Sequence, residues 1–551
     1  LISTDIYLSI KISLNKKMNT IQIKMSTVVL LATLMSGLTS CSDFLDEKPY
    51  GQLTSENFFS NKEDLDASLN SLYSVIAASQ ASNNHIGTNF LAGDDISTHP
   101  SSNKQSLREF DQFSPTDNNT WMVTLWEQRF KVIKAANFII NNAGRTPEVP
   151  QETIDNAIAQ ARYWRAYSYF YLVTTWGKVP MMLEEKIDFN TPLETEEKIY
   201  EQILTDLKYA EEKLPPLYTE EPYGRNGINI AVSQGAVKAT LAYVYMCMAG
   251  WPLNKGTEYY KMAADKAEEV IDAADEGTYY YKLLDEYSQV HSIAYNHNNP
   301  ELLLGIYYNR DRTPNSIPVT DIPLEVIQHG WGDTNGEIKF WKEFPEGPRK
   351  EATYFPKIIL ADGQPRDWWE DPSNQREVVA PVFMKTVESA TRGKEFDYTD
   401  PTSLPSNGEK TVQIIRLSQV YCWFAESTAR SGQVTPKAVE MLNRVRNRAD
   451  GNQTDMYNIA MRAEQLAEAA YNEHGWEMAG YYWGGLACRA RDMFRMYRFK
   501  EHFEYRKQNP EIEVAPGVFR KEKVPVTGAW DDSRMYAPYP YEDAILNPNL
   551  Q

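Results

Sequence analysis

The chain has 551 residues, 42% of them hydrophobic and 24% charged, with a formal net charge of −19. Those proportions describe a globular protein long enough to bury a large core. The charge repels duplex nucleic acid and anionic phosphate surfaces, and no basic cluster reverses it locally.

The first forty residues carry a targeting pattern. Lys16, Lys17 and Lys24 precede an apolar run from Ser26 to Leu38, which is short for a bilayer span. Small residues follow, and Leu38-Thr39-Ser40-Cys41 resembles the lipobox of bacterial lipoproteins. The resemblance implies translation from Met18 or Met25, removal of residues up to Ser40, and lipidation of Cys41. Several acyl chains on one cysteine make a stable anchor. The expected organisation is a signal segment 1–40, a lipidated leader 41–58 and one domain 59–551, with loop-rich insertions at about 80–119 and 276–411.

Ser60-Asn61-Lys62-Glu63 reads as a capping box, and Leu65, Leu69, Leu72 and Ile76 follow at helical spacing, so a helix is expected over 61–79. Residues 80–119 are polar and irregular. A helix resumes near Asn119 with a stripe of Trp121, Leu125, Phe130, Ile133, Ala136 and Ile140. The stretch from Glu152 to Thr175 places Tyr163, Tyr167 and Phe170 on one face, with Trp164 and Tyr171 beside them, and stops at Gly177 and Pro180. Ile199, Ile203, Leu207, Ala210 and Leu214 mark a helix ending at Pro215-Pro216. A helix rich in small residues covers 231–249. Tyr260, Ala263, Ala267, Val270 and Ile271 echo the small-residue contacts of tetratricopeptide helix pairs. The helical signal fades over 276–411, where LLLGIYY (302–308) reads as a strand. Helices are expected again over 412–430, 435–449 and 463–500, followed by an extended tail. The fold class is therefore mainly α.

Catalytic motifs are missing from the sequence: it has no HExxH, GxSxG, P-loop or EF-hand loop. His291 and His297 share a loop without a third ligand, so neither a metal nor a cofactor is expected. Cys247, Cys422 and Cys488 stand far apart within helical patterns and read as small buried hydrophobes. Asp94-Asp95 has the residue types of a glycosidase pair, but adjacent acids in so acidic a chain fit a solvated loop better.

One signal remains: aromatic residues in polar loops. They are Phe90, Tyr307, Tyr308, Trp331, Trp341, Tyr354, Trp368 and Trp369, with Asn84, Asn89, Asp94, Asp95, Asn309, Arg310 and Asp333 near them in sequence. Flat rings with adjacent amides and charges suit a sugar, whose C–H face covers a ring while its hydroxyls need donors and acceptors. The candidate ligand-binding set is Phe90, Asp94, Tyr308, Arg310, Trp331, Trp341 and Trp368.

Several blocks resemble the SusD/RagB family of surface lipoproteins. They are Cys41-Ser42-Asp43-Phe44-Leu45-Asp46; Ala136-Asn137; Ala161-Arg162 through Tyr167 to Gly177-Lys178-Val179-Pro180; Tyr200-Glu201-Gln202-Ile203 to Leu214-Pro215; Leu442-Asn443 with Val445-Arg446 and Arg448-Ala449; and Asn547-Pro548-Asn549-Leu550. Two blocks depart from the family pattern, Arg416-Leu417-Ser418-Gln419 and the aromatic stretch from Tyr481 to Cys488 after Glu473-His474 and Glu477-Met478. The resemblance implies a helical fold with four tetratricopeptide-like helix pairs and a loop-rich, variable ligand-binding side. It implies glycan binding without catalysis, an outer-membrane location through the lipid anchor, and a SusC-like TonB-dependent transporter as partner. Peptide cargo in the same transport role, a glycoside hydrolase and a structural adaptor are the competing expectations.

Overall fold

Helices dominate the architecture, and their limits follow from local capping and burial. The structure is a computed structural model that describes residues 58–79, 93–100, 102–186, 188–322, 330–359, 364–370, 378, 380–389, 391–392, 394–395, 397, 407–481 and 485–551. Cys41 and Phe90 lie outside these residues. The chain divides into two units, Leu1–Phe58 and Phe59–Gln551, and every helix and strand named below belongs to the second.

Helix α1 (Lys62–Ala78) buries Leu65, Leu69, Leu72 and Ile76, the expected stripe. Its cap sits one residue later than the sequence suggests. Asn61, not Ser60, accepts from the Asp64 amide at 2.8 Å, and the Asp64 carboxylate accepts from the Ser60 amide at 2.8 Å. Asparagine caps at least as well as serine, so Asn61 takes the cap while Asp64 reaches back to the Ser60 amide.

Residues 93–119 hold regular elements where the sequence suggests an irregular loop: strand β1 (Ile96–Thr98) and a short helix Gln105–Asp111. That helix has two turns, too few for its Leu107 and Phe110 to establish a period. Helix α2 (Thr120–Asn142) starts where Asn119 accepts from the Trp121 and Met122 amides, both at 3.1 Å. Leu125, Ile133 and Ala136 of the expected stripe are buried, but Met122, Trp126, Val132 and Ile139 go inward beside them, whereas Trp121, Phe130 and Ile140 are half-buried.

Helix α3 (Gln151–Trp176) runs through the centre and is buried on every side from Tyr163 to Trp176. Gly177 ends it with φ +71°, a left-handed conformation suited to glycine. Helix α4 (Glu196–Lys213) is capped by Thr195, carries Glu196 and Glu197 in its first turn, and buries Ile199, Ile203, Leu207 and Ala210. Helices α5 (Gln234–Ala249) and α6 (Thr257–Asp275) pack together, with Tyr260, Ala263, Ala267, Val270 and Ile271 buried. Each of α2 to α5 packs on the next, so local order in the chain becomes neighbourhood in space.

Strand β2 (Leu302–Ile306) is fully buried. Its partner comes after the insertion. Between them lie β3 (Thr334–Gly336), α7 (Ile338–Glu343) and α8 (Pro348–Thr353). Strand β3 pairs antiparallel with β1, Ile96 facing Gly336 and Thr98 facing Thr334. Strand β4 (Val412–Arg416) pairs antiparallel with β2, Val412 facing Ile306 and Arg416 facing Leu302. The expected helix over 412–430 is therefore shorter at its start. Residues 412–416 extend because β2 offers a ladder, and α9 (Leu417–Arg430) begins only after it.

Helix α9 packs on α6, α10 (Pro436–Asp450) and α11 (Ala463–Met478), so the two halves of the chain share one helical core. The single helix expected over 463–500 is broken. Gly480 takes φ +69° and chain direction changes before α12 (Arg489–Arg495) and α13 (Phe499–Gln508). A hairpin, β5 (Ile512–Ala515) with β6 (Val518–Arg520), follows. The tail is not wholly extended: Tyr541–Leu546 is a short helix. Cys247, Cys422 and Cys488 are free and buried, in line with the hydrophobic reading. Among the described residues no helix is long and apolar enough to cross a membrane.

Candidate functional site

The insertion builds a hydrophobic core of its own. Val319, Ile322, Ile338, Phe355, Ile358, Trp368, Val382 and Val387 form it, and Val514 from hairpin β5–β6 closes it. Three half-buried tryptophans, Trp331, Trp341 and Trp369, pack against it from outside.

Helix α7 sets the position of Trp341. Its Ile338 amide donates to the Glu522 carboxylate at 2.7 Å, and Ile338 and Phe340 are buried, which leaves Trp341 at the surface of the core. Trp341 lies 5.4 Å from Trp368, at 89°, and 5.5 Å from Trp369, at 54°. Trp368 and Trp369 complete the triangle at 5.6 Å and 86°. Edge-to-face rings in such a group are worth about 0.5–1.5 kcal/mol per pair beyond area burial. Trp368 is 6% exposed and serves as the floor, and its indole Nε1 has no hydrogen-bond partner among the described residues. Arg520 of β6 donates to the Trp369 carbonyl, so the hairpin also fixes this edge.

Lys350 of α8 places its ammonium 4.4 Å from the Trp341 ring centroid and pairs with Glu346 at 2.6 Å. Burial lowers the Lys350 pKa, and Glu346 offsets part of that effect. Pro348 at the start of α8 and Gly347 before it, at φ +135°, shape the turn that brings Lys350 over the ring. The result is an indole surface with one cation at its side. Such a surface can cover the C–H face of a sugar ring; the Lys350 side chain itself is 8% exposed.

The other candidate residues lie elsewhere. Tyr308 is 3% exposed, and its hydroxyl donates to the Ala77 carbonyl at 2.7 Å, which makes it part of the scaffold packing. Arg310 pairs with Glu388 and donates to the Ser389 carbonyl at 3.0 Å. Asp94 receives both Arg489 donors, at 2.6 and 2.9 Å. Burial favours protonation of Asp94, but the Arg489 guanidinium overrides it and holds the carboxyl below its usual range. Asp94 lines a polar cleft of about 300 Å³ with Glu337, Lys339, Phe340, His502 and Tyr505. Asp95 is turned inward and accepts from the Gly480 amide at 2.9 Å. Burial, with the charge of Asp94 adding to it, pushes Asp95 up to about 7. The two acids therefore do not face one another across a cleft. Phe90 lies outside the described residues.

The structure thus gathers Trp341 and Trp368 and seats Trp331 on the same core. Trp369 and Lys350 join them, and neither stands in the candidate set. Trp369 has its sequence signal among the loop aromatics. Lys350 has none, because its approach to Trp341 depends on the turn between α7 and α8.

Comparisons with known proteins agree with this architecture. A family model described as "Starch-binding associating with outer membrane" matches residues 43–246, and the SusD/RagB model, described as "SusD family", matches residues 385–551. A SusD-like protein of Bacteroides ovatus is 24% identical, with 95% of this chain and 97% of that protein aligned. Among solved structures, a SusD homologue from Bacteroides thetaiotaomicron superposes with TM-score 0.71 at 19% identity, covering 90% of this chain and 97% of that one. A laminarin-binding SusD-like protein does so with TM-score 0.67 at 20% identity, covering 89% and 98%. The two family models leave residues 247–384, most of the insertion, between them, and the solved structures share the helical scaffold. The chain belongs to the SusD/RagB family.

Proposed function

We propose that this protein is a cell-surface, glycan-binding lipoprotein that captures oligosaccharide without cleaving it. In this reading Cys41 carries the lipid that holds it at the outer membrane, and a SusC-like TonB-dependent transporter receives the cargo. The observation that carries the reading is the tryptophan group of Trp341, Trp368 and Trp369, with Trp331 packed on the same core, held on a lobe that is tied to the helical scaffold. Phe90 is proposed as a further stacking residue. Asp94, Tyr308 and Arg310 support the fold around the site more than they contact ligand, given their present partners. The relative that binds laminarin and the starch-binding description of the matching family model support sugar as the ligand class.

Two or three stacked rings and a few solvent-competed hydrogen bonds supply roughly −4 to −7 kcal/mol, a millimolar to micromolar affinity. That is fast-exchanging capture, suited to handing a ligand on. The test is a panel of oligosaccharides titrated against the soluble domain. Binding without release of reducing ends is expected, and a Trp341→Ala/Trp369→Ala double variant should bind at least about tenfold more weakly while keeping its helical circular dichroism. New reducing ends, or full affinity in the double variant, would overturn the reading. In cells, Cys41→Ala should impair uptake yet leave binding by the soluble domain unchanged.

A further inference from the structure

A second cavity lies at the root of the insertion. Its volume is about 390 Å³, within the range of small-molecule sites, roughly 300–1,000 Å³. Ser288, His291, Glu388, Ser389 and Lys410 are among its lining residues, and Ala352 of α8 borders it two positions after Lys350. Ser288, Lys394 and Glu395 are exposed at the rim, so the cavity opens to solvent.

Its chemistry is set by one ammonium group. Lys410 is 8% exposed, and its Nζ donates to two main-chain carbonyls, His291 at 2.5 Å and Val387 at 3.3 Å. An ammonium has three N–H donors. Among the described residues, no carboxylate stands within ion-pairing distance of this one. The nearby acids have other commitments. Glu388 takes Arg310 on one oxygen and the Glu409 amide, at 2.8 Å, on the other. Glu395 accepts from the Ile293 amide at 3.0 Å. His291 has both ring nitrogens buried and without a hydrogen-bond partner among the described residues. Burial suppresses its protonation, and the cations Lys385, Arg416, Lys410 and Arg448 add to that effect. Burial also draws the Lys410 pKa down to about 8, with Glu388 and Glu395 opposing it, which leaves the ammonium mostly charged at neutral pH. A buried cation with only neutral acceptors is costly, and an incoming anion relieves that cost.

We propose that this cavity receives the monoanionic substituent of an acidic glycan, a uronic-acid carboxylate or a sulfate ester, on the Lys410 ammonium. The proposal rests on the glycan-binding reading and narrows its ligand class. The net charge of −19 does not oppose it, because that charge is spread over the whole chain, whereas the cavity lining carries two lysines, Lys394 and Lys410, against two glutamates, Glu388 and Glu395, that already accept from neighbouring donors.

Calorimetric titration at pH 7 tests it with matched pairs: oligogalacturonate and its methyl ester, and a sulfated galactan oligosaccharide and its desulfated form. The acidic member of one pair should bind about tenfold or more tightly than its neutral partner, and the pair that shows the difference identifies carboxylate or sulfate as the source. Lys410→Met should abolish the difference while retaining the affinity for a neutral oligosaccharide and a cooperative thermal transition. Equal binding within both pairs by the unaltered protein would overturn this inference and leave the tryptophan site standing. Failure of every glycan, acidic or neutral, would overturn both. The wild-type comparison decides the matter even if the variant does not fold.

Discussion

Arg349, the second residue of helix α8, donates to Glu473 of helix α11 at 2.8 Å, and both side chains are almost wholly buried. The bond ties the insertion to the scaffold. Around it Arg446 and Tyr457 also bind Glu473, while Arg416 and Arg448 converge on Glu477 and Glu301. These cations hold the Glu477 carboxyl far below its usual range despite its burial.

Removing one member of such a network strands a buried charge, which costs about 3–5 kcal/mol. Arg349→Met should therefore lower the free energy of unfolding by that amount in urea titrations. It should also weaken oligosaccharide binding, because Lys350 on the same turn sits beside Trp341. Wild-type stability in the variant would show that α8 is held by packing alone.

Asp95 gives a pH-dependent prediction. Its carboxyl titrates near ~4 when unfolded and at about 7 when folded. Between those values the native state keeps a proton that the unfolded state has lost, so this group's contribution falls as pH rises from about 4 to 7. Asp95→Asn removes the ionisable group and can still accept from Gly480. The variant should match wild type near pH ~4 and exceed it by about 2–4 kcal/mol at pH ~8. Parallel stability profiles for the two proteins across that range would refute the assignment.

Gly480 closes helix α11 in the left-handed region, and a Cβ added there would meet the Phe383 ring at 2.4 Å. Gly480→Ala combines backbone strain of about 1–2 kcal/mol with displacement of that ring. Phe383 stacks on Tyr354 at 5.1 Å, so the loss should spread into the insertion. Thermal unfolding should show a lower midpoint, and an unchanged midpoint would mean that the turn relaxes freely.

The scaffold is readable in the sequence where helices are long and one-sided. The stripes of α1, α4 and α6 are buried as their spacing requires. The sequence misleads where a neighbour distant in the chain decides. Residues 412–416 hold three β-branched side chains, Val412, Ile414 and Ile415, that suit a strand, and the β2 ladder, roughly a hundred positions earlier, extends them. In α2, Trp126 takes the inward position because it meets Trp176 at 5.1 Å, whereas Phe130 turns toward the surface. The ion network is invisible for the same reason. Arg446 and Arg448 stand in a block that resembles the family, and Glu473 and Glu477 in one that departs from it, yet nothing in the spacing shows that they meet Arg349 and Glu301. At the site, loop aromatics flag Trp341 and Trp368 as a group, but only the fold separates them from Tyr308, whose hydroxyl is occupied inside the scaffold.

Strands β2 and β4 run side by side, so the insertion leaves and re-enters the helical body at adjacent points. A segment whose two ends already touch can be exchanged for another of different length at little cost in chain entropy. The recognition lobe is in that sense a cassette. A graft from a relative should fold on this body if it brings a counterpart of Arg349 for Glu473 and an apolar surface to receive Val514 of the hairpin. The same body could then present different sugar-reading faces, and ligand range could change without rebuilding the helices beneath.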